Sequence, residues 1–150
     1  MDKSQHMTDE EMMSAALKLA TEAHKGQVDK AGSPYIVHPV GVAKIVTSKI
    51  EKTVALLHDV VEDTYLTLDD LRREGFTEEV VIAVMLLTKI RDENFNIYRY
   101  LRDLKLNEIA RAVKIADLSD NMDISRIPDP TDKDHKRVEK YKKQREFLMD

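Results

Sequence analysis

The residues best equipped for chemistry lie in one stretch, Val54-Ala55-Leu56-Leu57-His58-Asp59-Val60-Val61-Glu62-Asp63-Thr64, an apolar run with four ionisable side chains set into it. On a helix each residue advances the azimuth by roughly 100°, so with His58 at zero, Asp59, Glu62 and Asp63 fall at roughly 100°, 40° and 140°. Val54, Leu57, Val60 and Val61 fall on the other side. One short helix is therefore expected to bury an apolar face and to present His58, Asp59, Glu62 and Asp63 together. Carboxylates and an imidazole crowded in this way call for a positive charge among them, and a divalent cation is the natural occupant.

Two more places offer ligands of the same kind: His38, just before Pro39, and Asp117, flanked by Ile115, Ala116 and Leu118. Taken singly, His38 reads more often as a loop histidine bonded to backbone than as a ligand, and His58-Asp59 reads also as a buried ion pair. Asp117 alone reads equally as an exposed helix residue. A structural ion pair, however, has no need of Glu62 and Asp63 as well. Together, two imidazoles and two carboxylates form a hard-to-borderline site suited to Mn²⁺, Fe²⁺ or Zn²⁺. Such an ion polarises a phosphoryl oxygen and lowers the pKa of a bound water. Glu62 lies one turn beyond His58 on the same face, within reach of that water, or else serves as a supporting partner.

The elements that must position these groups are helical. Thr8 with Glu11 is a capping-box pattern opening a helix to about His24, ended by Lys25-Gly26-Gln27. Residues 28–34 form a loop with turn chemistry at Gly32-Ser33-Pro34. Pro39 disfavours helix at His38 and suits the first turn of a helix to about Ser48. After the His58 helix, Thr67 opens a short helix stopped by Gly75, and Thr77 opens another with the apolar run Val80 to Leu87. Arg91 to Asn94 reads as a loop and Phe95 to Leu104 as a helix. Asn107 caps a helix to about Met122, with Ile109, Ala112, Val113 and Ala116 on its apolar face. Pro128 and Pro130 mark a loop before a last helix, about Asp132 to Leu148, whose many lysines read as a solvated face. His24 reads as structural, and His6 and His135 as exposed.

Composition agrees with this reading. Alternating strand-type runs are absent, and only 4 Gly and 4 Pro leave little room for long irregular segments. The expectation is an all-α single domain over residues 1–150, a bundle of about eight helices, with about residues 1–8 as a disordered N-terminus. The net charge of −4 argues against nucleic acid, which needs a broad basic field. With no cysteine, disulfides, thiolate-held zinc and thiol catalysis are excluded. Residues 1–11 lack the apolar core of a signal peptide. The longest uncharged run, Ala31 to Ala43, is too short and too rich in Gly and Pro to span a membrane. A cytoplasmic protein with no membrane partner is expected.

The order His … His-Asp … Asp resembles the signature of HD-domain metal-dependent phosphohydrolases. The closer resemblance is to the hydrolase domain of RelA/SpoT-type alarmone enzymes, especially the stand-alone small alarmone hydrolases. It is carried by Ala23-His24-Lys25-Gly26-Gln27, Pro34-Tyr35-Ile36-Val37-His38-Pro39, the Leu56 to Thr64 block, Leu87-Thr88-Lys89, and Lys114-Ile115-Ala116-Asp117 with Asn121-Met122, and it covers about residues 12 to 148. The resemblance implies a manganese-dependent 3′-pyrophosphohydrolase of a purine alarmone, (p)ppGpp or (p)ppApp, with one Mn²⁺ per chain. In that pattern His38, His58, Asp59 and Asp117 match the metal ligands, and Glu62 and Asp63 match the catalytic acids that orient or deprotonate water. Lys30, Tyr35 and Asn121 match substrate-lining positions, and Arg137 and Tyr141, spaced i, i+4, look like a phosphate-contacting pair. Lys89, Arg91 and Lys114 are read as adding positive potential near the phosphates.

Departures from the family pattern fall on the base side. The loop after Gly26-Gln27 carries Asp29-Lys30 where the family usually has Arg-Lys, and the ligand helix continues Leu118-Ser119-Asp120-Asn121-Met122-Asp123. Asp29 or Asp120 is expected to accept from an exocyclic amine of either purine, which brings an adenine alarmone beside the guanine one. Competing readings are a phosphohydrolase of different regiochemistry, a 5′-nucleotidase or an NADPH 2′-phosphatase, and a non-catalytic nucleotide sensor.

Overall fold

Capping chemistry sets where the helices begin. Thr8, Ser48, Thr67 and Thr131 each accept from the backbone N–H three residues on, and the acid at that position reaches back to the cap's own N–H. Such reciprocal boxes satisfy two orphan donors at once. The computed structural model describes residues 7–150. Among them the helices are α1 (Asp9–Ala23), α2 (Val37–Ile45), α3 (Lys49–Leu57), α4 (Val60–Asp63), α5 (Leu68–Arg73), α6 (Glu78–Leu87), α7 (Ile97–Lys105), α8 (Glu108–Asn121) and α9 (Asp132–Met149). No strand occurs among the described residues beyond an isolated pairing of Val28 with Pro34. The architecture is all-α. Of the N-terminal stretch 1–8, residues 1–6, including His6, lie outside the described residues, while Thr8 is the N-cap of α1.

The helix count exceeds the expected eight because the stretch around His58 is not one helix. α3 ends at Leu57, His58 and Asp59 form a turn, and α4 is a single turn from Val60. The local cause is visible in the backbone: the His58 N–H bonds the Ala55 carbonyl, three residues back, and His58 Nδ1 lies 2.5 Å from the same oxygen. A second difference concerns His38. It lies inside α2 rather than before it, with Pro39 in the first turn, where a missing N–H costs nothing. That helix also stops at Ile45, short of Ser48, which instead caps α3.

α3 and α8 form the centre. α1 and α2 pack on α3, α8 packs on α2, α3 and α6, and α9 closes over α7 and α8. α3 buries Thr53 to Leu57 in succession, so it is covered on all sides. α1 turns Met12, Ala16, Ala20 and Ala23 inward, small residues that let it approach closely. On α8 the fully buried apolar residues are Ala110, Val113, Ala116 and Leu118, with Ile109 and Ala112 only half-buried. The expected face is therefore rotated, and the rotation brings Lys114 and Asp117 inside.

Candidate active site

The two central helices and α2 meet where their ionisable residues lie. His38 is buried in the first turn of α2, with Nε2 2.8 Å from Asp117 Oδ1 on α8. Its other nitrogen, Nδ1, lies 2.6 Å from Asp120 Oδ2, one turn further along α8. Gly41, one turn beyond His38, makes room for that carboxylate: a Cβ there would stand 2.8 Å from Asp120 Oδ1. The break between α3 and α4 turns His58 and Asp59 to the same point. His58 Nε2 lies 3.1 Å from Asp59 Oδ2 and 3.3 Å from Asp117 Oδ1, buried and without a well-aligned hydrogen bond. Because His58 Nδ1 donates to the Ala55 carbonyl, Nε2 is the nitrogen left to face the centre.

Four donor atoms thus converge: His38 Nε2, His58 Nε2, Asp59 Oδ2 and Asp117 Oδ1. Ligand atoms of His38, His58 and Asp117 all lie within 4.8 Å of one another. The orphaned, buried His58 Nε2 and the set of two nitrogens and two oxygens fit a divalent cation. Neighbours hold these ligands in place. Lys114 Nζ takes Asp117 Oδ2 at 2.9 Å, Asn121 Nδ2 donates to Asp117 Oδ1 at 3.1 Å, and the Tyr35 hydroxyl donates to Asp59 Oδ2 at 2.5 Å.

The electrostatics follow from this crowding. Burial disfavours charge on His38, but the Asp117 and Asp120 carboxylates outweigh it and raise the imidazole to about 9. Burial opposes charge on His58 too, and Asp59 with Asp117 nevertheless holds it well above its usual value. Asp59 is drawn down to about 2, burial being outweighed by His58. Asp117 is held well below the carboxylate range, where burial is overcome by Lys114 and then His58. The protein groups alone are balanced by protons on the imidazoles, and a divalent ion at the same point supplies that balance instead.

Glu62 and Asp63 sit on α4 beside this cluster. Glu62 Oε1 accepts from the Lys89 backbone N–H at 2.8 Å, and Oε2 stands 3.9 Å from Arg91. The Asp63 carboxyl is raised by burial, then by Asp59 and Glu62. Its carbonyl accepts from Gln27 Nε2 at 3.1 Å, and Gln27 Oε1 lies 2.9 Å from His24 Nδ1, so His24 has the supporting position expected of it. A cavity of about 430 Å³ opens over these groups. Lys30, Tyr35, Asn121, Arg137 and Tyr141 all line it. Arg137 donates to Asp134 Oδ1 at 2.7 Å, and His135 is exposed, as read.

Asp29 and Asp120, read as acceptors for a purine amine, both line the cavity, each with one carboxylate oxygen already engaged. Asp120 Oδ2 meets His38, and Asp29 Oδ1 closes its own loop by accepting from the Ala31 and Ser33 N–H groups. The (i, i+3) spacing from Asp117 would have placed Asp120 on the ligand face. Arg126 was not foreseen. It lines the cavity from the loop before α9, 4.0 Å from Asp29 Oδ2 and 3.9 Å from Asp120 Oδ2, and a loop residue carries no periodic signal.

Residues 16–97 match the family model described as HD domain. The chain belongs to the HD-domain family. Among curated proteins, this HD domain is 36% identical over 120 residues to a guanosine-3′,5′-bis(diphosphate) 3′-pyrophosphohydrolase of Haemophilus influenzae, covering 69% of the chain and 17% of that protein. It is 37% identical over 123 residues to the bifunctional (p)ppGpp synthase/hydrolase SpoT of Escherichia coli, covering 71% and 17%. It therefore spans about a sixth of the length of these relatives. Among solved structures it is similar to a metazoan ortholog of SpoT described as hydrolyzing ppGpp and playing a role in starvation responses. That likeness has a TM-score of 0.69 and 26% identity, and it covers 91% of this chain and 83% of the other. The resemblance to RelA/SpoT-type enzymes thus extends from motifs to the fold. No helix among the described residues is long and apolar enough to cross a membrane.

Proposed function

We propose that this HD domain is a manganese-dependent 3′-pyrophosphohydrolase of purine alarmones, (p)ppGpp or (p)ppApp, acting in the cytoplasm as a single catalytic domain. The observation that carries the reading is the convergence of His38 Nε2, His58 Nε2, Asp59 Oδ2 and Asp117 Oδ1, with Glu62 and Asp63 on the next turn of chain and one cavity over all six. The names of the relatives point to the same substrate class.

In this reading His38, His58, Asp59 and Asp117 hold one Mn²⁺, and neutral imidazoles beside carboxylates suit Fe²⁺ or Zn²⁺ as well. When bound, the ion polarises a phosphoryl oxygen and makes water more acidic. Water attacks the phosphorus bonded to the ribose 3′-oxygen, the bond from phosphorus to that oxygen breaks, and pyrophosphate leaves carrying the water's oxygen. Glu62 and Asp63 orient the water and take its proton, and one proton returns to the 3′-oxygen. Asp63, whose carboxyl is raised by burial and then by Asp59 and Glu62, is suited to returning a proton to the 3′-oxygen. Lys30, Arg137 and Tyr141 hold phosphate oxygens, while Tyr35 and Asn121 serve the nucleotide and also steady Asp59 and Asp117.

The test is product analysis. Protein loaded with Mn²⁺ is expected to release pyrophosphate from ppGpp or ppApp, and Asp59→Ala to abolish release. Orthophosphate as the product moves the protein to the 5′-nucleotidase or NADPH phosphatase class, and binding without turnover makes it a sensor.

A further inference from the structure

One corner of the cavity holds more positive charge than the mechanism above uses. Lys89 follows α6, and its backbone N–H fixes Glu62. Its ammonium stands 5.8 Å from the centre of the Tyr100 ring, and that of Lys114 stands 5.6 Å from the same ring. Tyr100 is pinned there by donating to the Leu87 carbonyl at 2.5 Å. Lys114 is matched by Asp117 Oδ2, and Arg91 approaches Glu62 Oε2. Lys89 has no carboxylate partner among the described residues. Burial lowers its pKa, and the neighbouring Lys114 and Arg91 lower it further. All three cations line the cavity.

The place of this corner relative to the ligands gives it a meaning. Asp117 turns Oδ1 to the two imidazoles and Oδ2 to Lys114. Lys114 therefore meets Asp117 through the oxygen that the imidazoles do not use. Lys89, Arg91 and Lys114 share one cavity with the two imidazoles, so with the attacked phosphoryl group beside the imidazoles a second phosphate bonded to it would extend toward these cations. We propose that Lys89, backed by Lys114 and Arg91, is the receptor for the outer phosphate of a pyrophosphoryl group and so makes the site prefer pyrophosphate over orthophosphate. The inference deepens the hydrolase reading and rests on it for the placement of the attacked group. Cations around a half-buried ammonium raise the cost of its charge, and a dianionic phosphate removes that cost.

The experiment is calorimetric titration of the metal-loaded protein with inorganic pyrophosphate and, separately, with orthophosphate. It is repeated on Lys89→Met and Lys89→Arg. Methionine keeps the length of the stem and leaves the backbone bond to Glu62 intact, and thermal melts confirm that each variant is folded. Wild type is expected to bind pyrophosphate at least about tenfold more tightly than orthophosphate, since a charge-assisted contact carries that much. Lys89→Met should erase the preference without weakening orthophosphate, and Lys89→Arg should retain most of it. A preference unchanged in Lys89→Met, or an equal loss for both anions, overturns the proposal. Failure of the hydrolase reading is separate: it shows as absent turnover of nucleotide 3′-diphosphates by wild type, whatever the anion titrations give.

Discussion

Asp120 Oδ2 lies 2.6 Å from His38 Nδ1, so a carboxylate on α8 fixes which nitrogen of a histidine on α2 faces the candidate metal site. Nε2 in turn donates to Asp117 Oδ1 at 2.8 Å, and with Nδ1–H held by Asp120 it is Nε2 that gives up its proton to a metal ion. Carboxylates that orient a ligand histidine in this way strengthen metal binding about 10–100-fold. Asp120→Ala is therefore expected to weaken Mn²⁺ binding by about that factor. Metal titration with a competing chelator checks it, and unchanged affinity would remove Asp120 from the site.

Gly41 makes that contact possible. A Cβ at this position would stand 2.8 Å from Asp120 Oδ1, and the carboxylate cannot swing away without leaving His38. Gly41→Ala is expected to lower metal affinity in the same direction as Asp120→Ala. Overpacking of a close helix contact should also destabilise the fold by about 1–3 kcal/mol. Denaturant melts of the chelated and loaded forms separate the two effects, since a purely structural clash would leave the affinity of the folded protein unchanged.

How much of this was legible beforehand depends on the kind of signal. The candidate ligands stood out as a set because His38, His58, Asp59 and Asp117 are ionisable residues in apolar surroundings, where a charge needs a reason, and the structure brings their donor atoms together. The helices were readable from Thr8, Thr67 and Asn107, whose side chains do cap the helices they precede. The break at His58 was not readable, because every residue from Val54 to Thr64 tolerates a helix. The turn comes from where His58 Nδ1 finds its acceptor, a tertiary choice. The partner of Asp120 was hidden for the same reason: His38 lies 82 residues away, and only the packing of α2 on α8 joins them.

Glu62 can be tested apart from the ligands. Its Oε1 accepts from the Lys89 N–H, and a glutamine would keep that bond. Glu62→Gln should therefore retain the fold and full metal occupancy while losing the ability to take a proton. General-base removal costs about 10²- to 10⁴-fold in rate. Elemental analysis together with steady-state rates checks this, and a drop in metal content of similar size would make Glu62 a supporting residue instead.

The stability of the protein should respond to pH in opposite senses with and without metal. In chelated protein, His38 is raised to about 9 and His58 is raised as well, burial being outweighed by their carboxylate neighbours. A raised imidazole stabilises the fold while it is protonated. That contribution is complete below the unfolded value of roughly 6.5 and is lost as pH rises through about 9. Loaded protein reverses the sign, because ligation requires both imidazoles to be neutral and acid competes with the ion for them. The difference in melting temperature between loaded and chelated protein is thus expected to widen steadily from about pH 6 to pH 9. Paired thermal melts across that range measure it. A constant difference would mean that His38 and His58 do not exchange protons for the metal.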